Sequence, residues 1–340
     1  MQQKIFVTGG TGFLGSYLLR YLVHQGYTNI RAMKRSSSPM DLVESIKNQI
    51  EWVEGDILDQ VFLEEVMADV DQVYHVAAMI SLVPSQADKM FAINEIGTQN
   101  IVNTCLFHQV KKLVHISSIA AIGSEQFGQP ISENTKWQDD QENSNYAKSK
   151  YAAEMQVWRG IAEGLDAAIL NPSVILGSGF WDSGSLEIFN IYGKGFPFYS
   201  DGSNGFVDVR DVAKIAIQLM AADISAERYI INAENLPFKQ VFNLISEQAG
   251  VPPPYFKVNP ILSSIGWRLI WVVSKITRKT PTITRESVQT ALGNYQYDNQ
   301  KSITAFNFQY TPIAQTISEV ITQFKVAKQS NMRAMVLPLN

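Results

Sequence analysis

A chain of 340 residues, 46% apolar and 18% charged, can bury the core of one large domain or two modest ones, and its composition is that of a soluble globular protein. The formal net charge of −4 argues against a nucleic-acid partner, because phosphate backbones are bound by basic surfaces. A single cysteine, Cys105, rules out an internal disulfide and is expected as a buried core thiol. Met1-Gln2-Gln3-Lys4 runs straight into the first apolar segment with no signal peptide, so the cytoplasm is the expected compartment.

In chain order, a short apolar strand over Lys4–Val7 feeds the run Val7-Thr8-Gly9-Gly10-Thr11-Gly12-Phe13-Leu14-Gly15, and an apolar helix pattern follows over Phe13–Gln25. In such a GxxGxxG turn one glycine allows the tight bend, one lets the backbone approach a pyrophosphate, and one lets helix and strand pack closely. Phosphates then sit against the free N–H groups at the helix start. Further strands are expected at Ile30–Met33, Gln49–Glu54, Gln72–Val76, Lys112–Ser117 and Ala167–Pro172, with helices over Leu58–Met67, Met90–Gln109 and Tyr146–Glu163. This alternation implies right-handed βαβ units around a parallel sheet.

After Pro172 the pattern changes. Glycines, serines and aromatics crowd Gly177–Gly205 and read as loops over a cleft. A strand and helix over Val207–Met220 and a strand over Arg228–Asn232 are expected to rejoin the sheet, and Pro237–Gly250 restarts a helix. The expected architecture is therefore α/β, a Rossmann-type doubly wound parallel sheet with a smaller, discontinuous C-terminal substrate lobe. Residues 1–177, rejoined by 206–233, form the dinucleotide-binding domain; 178–205 and 234–325 form the lobe; 326–340 form a flexible tail. Ile261–Ile276 is apolar and contains Trp267 and Trp271, but it is shorter than the ~20 residues of a bilayer-crossing helix and holds Arg268. A buried helix of the lobe is expected there rather than membrane contact.

The position about 20 residues beyond the glycine turn reads the ribose of a dinucleotide. Here the second strand ends Arg31-Ala32-Met33-Lys34-Arg35-Ser36-Ser37-Ser38, with no acid to bind two ribose hydroxyls. Arg35 can fork onto a 2′-phosphate, with Lys34 or the serines adding contacts, so NADP(H) is favoured over NAD(H). After the third strand, Gly55-Asp56-Ile57 places a carboxylate where it can accept from an adenine amino group.

Tyr146-Ala147-Lys148-Ser149-Lys150 opens a helix, and Tyr146 and Lys150, four apart, share one face. A nearby ammonium and an oxidised nicotinamide both favour the phenolate, so the tyrosine is expected to titrate below its usual ~10. His115-Ile116-Ser117-Ser118 ends a strand at the sheet edge where open α/β folds hold ligands. Ser118 can hydrogen-bond a reacting oxygen while Ser117 points the other way, toward the cofactor or the backbone. No metal-ligand set is assigned.

Together these residues resemble the extended short-chain dehydrogenase/reductase family, also called the NAD-dependent epimerase/dehydratase family, from Lys4 to about Phe324. The resemblance also rests on His75-Val76-Ala77-Ala78, Asn94-Glu95-Ile96-Gly97-Thr98, Asn171-Pro172-Ser173-Val174-Ile175-Leu176-Gly177 and Phe206-Val207-Asp208-Val209-Arg210-Asp211-Val212-Ala213. It implies that Thr8, Gly9, Thr11, Gly12, Phe13 and Leu14 line the pyrophosphate and that Asp56 and Ile57 meet the adenine. Ala77 and Ala78 would lie along the cofactor, Lys150 would hold the nicotinamide ribose, and Pro172 and Ser173 would flank the nicotinamide. It further implies a backbone-supporting or proton-relay role for Asn94, and a homodimer through the Met90–Gln109 and Tyr146–Glu163 helices.

Dehydratases of the family place an Asp-Glu pair after the catalytic hydroxyl, where this chain has Ile119-Ala120-Ala121, so dehydration is not expected. Nucleotide-sugar epimerisation with NAD is the alternative, with Arg268, Arg278, Lys279 and Arg285 as the cations available to a diphosphate. A non-catalytic dinucleotide-binding regulator is a second alternative, disfavoured by the intact Tyr146 and Lys150. The likeness is nearer to the dihydroflavonol-reductase-like branch, on Arg31 to Arg35 and Asn171-Pro172-Ser173. The expected activity is NADP(H)-dependent reduction of an aldehyde or ketone, or oxidation of the alcohol, by Ser118, Tyr146 and Lys150. Met79, Ile80, Leu82, Trp137, Phe180, Trp181, Phe196, Phe198 and Tyr199 are the expected apolar walls of the pocket.

Overall fold

The computed structural model describes residues 3–123, 129–139, 143–258 and 291–339. The apolar segment Ile261–Ile276 and Arg268, Arg278, Lys279 and Arg285 lie outside them.

β1 (Ile5–Thr8) is apolar throughout, and the period-two alternation of a strand sends Ile5 and Val7 to one face and Phe6 to the other. Both faces are covered, as a parallel strand requires. α1 (Phe13–His24) follows, then β2 (Ile30–Lys34), β3 (Glu51–Glu54), α2 (Gln60–Val66) and β4 (Gln72–His75). β3 is shorter than expected because Lys47–Gln49 closes a 3₁₀ turn, capped when Trp52 Nε1 donates to the Lys47 carbonyl.

The helix expected over Met90–Gln109 is instead α3 (Ala87–Phe91), a π turn (Ala92–Ile96) and α4 (Gly97–Phe107). Such wide turns mark functional sites. This one sets Asn94, whose amide donates to the Met79 carbonyl at 2.9 Å and accepts from the Met79 N–H at 2.7 Å. β5 (Lys112–Ile116), α5 (Asn145–Ala162) and β6 (Ala167–Pro172) complete the dinucleotide half.

With β10 (Glu227–Ile231) at one edge, the central sheet is ordered β10-β6-β5-β4-β1-β2-β3, all parallel, so the order reverses beside β1 and opens a crevice between β1 and β4. One core lies between the sheet and α1 and α7 (Val209–Ala221); the other, which includes Cys105, lies under α2, α4 and α5.

Of the two strands expected to rejoin the sheet, β10 (Glu227–Ile231) does so beside β6. β9 (Ser203–Asp208) does not: it pairs with β7 (Val174–Leu176) and β11 (Glu234–Pro237) in a separate three-stranded sheet. The lobe adds α6 (Glu187–Tyr192), β8 (Phe198–Tyr199), α8 (Phe238–Ala249), β12 (Phe256–Lys257), α9 (Gln300–Phe306) and α10 (Ile313–Gln329). β8 and β12 pair in a two-stranded ribbon.

The C-terminal tail is a correction. Rather than fraying, α10 continues to Gln329 and the following segment docks back on the dinucleotide half. Leu337 is fully buried, its N–H donates to Tyr17 Oη at 2.7 Å, and its carbonyl accepts from Arg20. Tyr17 Oη also donates to the Ser178 carbonyl, and Arg333 pairs with Asp41. A buried phenol needs partners, and the tail backbone is one of them. Among the described residues no helix is long and apolar enough to cross a membrane.

Candidate active site

The glycine turn leaves β1 at the crevice. Gly9 has φ +71°, and a Cβ there would lie 2.7 Å from the Ala77 nitrogen, so β1 and the end of β4 approach only because this residue is glycine. A Cβ at Gly15 would overlap the Gly9 carbonyl, which holds α1 tight against the turn. Gly12 caps α1 without a side-chain acceptor and is exposed. The first-turn N–H groups of Phe13 and Leu14 have no acceptor among the described residues, leaving an anion cradle at the helix's positive end.

The other pyrophosphate residues divide. Thr11 and Leu14 are buried around the turn, and Phe13 packs edge-on against Tyr17. Thr8 faces inward: its hydroxyl accepts from Val76 and Ala77 N–H and contacts His75 Nδ1 at 2.8 Å, so only its backbone remains for a ligand. His75 is thereby locked between Thr8 and Thr98, and burial brings its imidazole down to about 3. Ala77 is half-buried and Ala78 exposed along the crevice.

At the outer end, Asp56 is exposed and its carboxylate caps the Leu58 N–H at 3.0 Å, while the Ile57 side chain packs into the core against Gly97. The three cations of β2 and its turn differ sharply. Arg31 is held by Glu51 and Asp69, and Lys34 by Glu54 at 2.8 Å. Arg35 is exposed, and its guanidinium has no partner among the described residues. The Ser38 hydroxyl accepts from the Arg35 N–H at 3.0 Å, which shapes the turn.

The catalytic candidates converge at the carboxyl edge of β5. Ser118 follows the strand and is buried; its hydroxyl caps the next turn by accepting from the Ala120 N–H and hydrogen-bonds the Tyr146 phenol. Tyr146 lies in the first turn of α5, which begins where Ser144 accepts from the Ala147 N–H. The expected lowering of the Tyr146 pKa is corrected: burial raises it, and the Ser118 hydrogen bond opposes the rise only in part. Lys150, one turn on, is buried, donates to the Ile116 carbonyl at 3.0 Å, and is brought down by burial to about 8. Asn94 also donates to Ser149 Oγ at 3.0 Å, so its structural role is the one observed.

Ser117 does point away from Ser118, but to neither cofactor nor backbone. It donates to Glu154 Oε2 at 2.7 Å. Glu154, fully buried, also accepts from Asn171 at 2.8 Å and from Arg228 of β10 at 3.0 Å. Neither Glu154 nor Arg228 was expected from sequence, although Glu154 continues the four-residue spacing of Tyr146 and Lys150.

Pro172 ends β6, and the next residue, Ser173, is buried with its N–H on the Ile231 carbonyl and its hydroxyl without a partner among the described residues. An orphaned hydroxyl beside the catalytic corner, a glycine cradle and acceptor-free helix amides are the donor set of a nicotinamide dinucleotide, and the residues fit that group. Among the described residues no cluster of three or more His, Cys, Asp or Glu is placed to hold a metal ion.

The expected apolar walls are dispersed. Trp181 is core, edge-on to Phe324; Phe180 bridges to the tail beneath Arg333; Trp137 stacks on Tyr151. Phe196 and Phe198 are exposed in an aromatic string with Phe256, and Tyr199 lies under Lys239. Met79 and Leu82 stay half-buried and Ile80 exposed beside the crevice.

Residues 5–232 match the model of the NAD dependent epimerase/dehydratase family. The chain is 30% identical to a Synechocystis sp. protein named as a dihydroflavonol 4-reductase, over 96% of this chain and 95% of that one. It is 25% identical to cinnamoyl-CoA reductase 1 of Petunia hybrida, over 94% and 91%. The crystal structure of gox2253 superposes with a TM-score of 0.81 at 26% identity, covering 97% of this chain and 99% of that one. The NAD complex of Thermus thermophilus UDP-glucose 4-epimerase shares the fold, with a TM-score of 0.76 at 20% identity over 96% and 100%. The chain belongs to the NAD-dependent epimerase/dehydratase family and is an NAD(P)-dependent oxidoreductase-type enzyme of the extended short-chain dehydrogenase/reductase class.

Proposed function

We propose that the protein reduces an aldehyde or ketone with NADPH, and in reverse oxidises the alcohol. The observation that carries this reading is the buried Ser118 hydroxyl set against the Tyr146 phenol, with buried Lys150 one turn away. A phenol is protonated at neutral pH and burial raises its pKa further, so Tyr146 is in the state of a general acid facing a carbonyl oxygen. Ser118 places a second hydroxyl where negative charge grows on that oxygen. Lys150 remains a cation below about pH 8 and favours the phenolate left after transfer. A bound nicotinamide supplies or takes up the hydride. Ser173, the α1 amides and Arg35 would hold that cofactor, and Arg35, with no acid beside it in the turn, favours the 2′-phosphate form.

The reductase names of the two relatives support carbonyl reduction over epimerisation. Exposed Ile96 and Phe107, both on the Met90–Gln109 segment, one of the two named for a homodimer, are consistent with that assembly.

The test follows oxidation of NADPH and NADH across a panel of aldehydes and ketones. Wild type should consume NADPH. Tyr146→Phe should lose roughly 10²- to 10⁴-fold in turnover while binding the cofactor as before. Preference for NADH, or co-purified NAD, moves nucleotide-sugar epimerisation to the front. Full turnover by Tyr146→Phe overturns the proposal.

A further inference from the structure

The helix that carries Tyr146 and Lys150 carries a third polar side chain on the same face. Residues four apart on a helix lie about 5–6 Å from each other, so Glu154 stands one turn below Lys150 as Lys150 stands one turn below Tyr146. Glu154 is fully buried, and a buried carboxylate is costly unless each oxygen is matched. Here both are. Oε2 accepts from Ser117 at 2.7 Å and Asn171 at 2.8 Å; Oε1 accepts from Arg228 at 3.0 Å and Trp158 Nε1 at 3.3 Å.

These partners lead to the reacting groups. The Asn171 amide that reaches Glu154 also donates to the Ser118 carbonyl at 2.9 Å. Ser117, which donates to the same Oε2, is the chain neighbour of Ser118. The backbone that presents the Ser118 hydroxyl is therefore held at both residues by one carboxylate. Arg228 is fastened in turn by the Glu133 and Thr135 carbonyls, so β10 and the 133–135 segment join the clamp.

We propose that Glu154 is a positioning residue for the catalytic site, fixing the Ser117–Ser118 backbone and supplying the negative charge that keeps Lys150 an ammonium. This rests on the Ser118–Tyr146–Lys150 reading.

The charged and titratable groups around Lys150 are few. Tyr146 and Glu154 come from α5, His75 from β4 and His115 from β5, with Arg228 of β10 beyond Glu154. Both imidazoles are held neutral by burial, their rings 5.0 Å apart, so neither offsets the ammonium. Burial lowers Lys150, and Glu154 is the group that opposes this. Arg228 competes for the same carboxylate.

The structure therefore assigns opposite signs to two substitutions. The full-length protein is labelled with ¹³C at lysine Cε, and the Lys150 resonance is identified by its loss in Lys150→Arg. In wild type it should titrate near pH 8. Glu154→Gln, which keeps the shape and removes the charge, should lower that midpoint by about one pH unit or more. Arg228→Gln, which leaves Glu154 without its competing cation, should raise it.

Movement of the two variants in opposite directions supports the proposal. An unmoved midpoint in Glu154→Gln, or the same direction in both, overturns it, because a merely structural carboxylate would act through general loosening. If Glu154→Gln does not fold, Arg228→Gln decides by the sign of its change. The measurement needs no substrate. Wild type that titrates as expected but reduces no carbonyl refutes the proposed reaction alone, and carbonyl reduction with an unmoved midpoint refutes the role of Glu154 alone.

Discussion

At the β5–α5 corner, Ser117, Glu154, Asn171 and Lys150 are buried; Ser117 and Asn171 donate to Glu154 at 2.7 and 2.8 Å, and Lys150 donates to the Ile116 carbonyl at 3.0 Å. At the end of β2, three strands away in the same sheet, Arg35 is exposed and without a side-chain partner among the described residues. The first region is organised before any ligand arrives; the second waits for one. Proton transfer needs groups fixed within a fraction of an ångström, and only burial with matched hydrogen bonds supplies that. Recognition of a 2′-phosphate needs a mobile cation that can close on it, and prior pairing would oppose this. Arg31 and Lys34, one turn of backbone away, show the contrast, because both are already neutralised by Glu51, Asp69 and Glu54.

The contrast can be broken at either end. The largest effect is expected at the buried corner. Ser118→Ala should reduce turnover by roughly 10²- to 10³-fold with little change in cofactor affinity, read as a loss in kcat at an unchanged NADPH dissociation constant. A loss confined to KM would place Ser118 in substrate binding instead.

A smaller effect is expected at the open end. Arg35→Ala should weaken NADPH by roughly 10- to 100-fold, the value of one charge-assisted contact of about 1.5–3 kcal/mol, and leave NADH affinity and kcat unchanged. Equal weakening of both cofactors would show that Arg35 serves the fold and not the phosphate.

The last effect concerns His75, beside the crevice, and is read in stability, not in turnover or affinity. Its imidazole titrates near 3 in the folded protein against 6.5 when exposed, so between these values the unfolded chain binds the extra proton. Stability from this group is complete above pH 6.5 and is lost as pH falls toward 3. Replacing His75 with Asn should flatten the stability-against-pH curve in that window, measured by urea unfolding, and leave its slope above pH 7 unchanged, whatever the loss in stability from the removed hydrogen bonds. An identical slope in both proteins would mean that the imidazole is not what couples this region to acid.

Local patterns carried the dinucleotide half. The apolar strands, the GxxGxxG turn and the four-residue step from Tyr146 to Lys150 are short-range features, and each occupies its expected place within a few residues. The errors cluster where distant segments decide. β9 looks like a strand for the central sheet, yet β7 and β11 claim it. The tail looks polar and terminal, yet Tyr17 needs a buried partner and finds the Leu337 backbone. Trp137, Phe180 and Trp181 looked like pocket walls because aromatic residues suit a cleft and a core equally well.

By itself the sequence determined the strand–turn–helix that cradles a pyrophosphate, the absence of an acid at the ribose position, and the helical face shared by Tyr146 and Lys150, because each depends on residues within a turn or two of one another. Only the tertiary structure decided that Glu154 and Arg228 stand behind that face and that, among the described residues, Arg31 and Lys34 have carboxylate partners and Arg35 has none. It also decided that burial drives the Tyr146 phenol up, with the Ser118 hydroxyl opposing the rise in part. The physical reason is common to all three: pairing and desolvation depend on which distant chain segments meet in space, and β5, β6, β10 and α5 meet only once the sheet has closed.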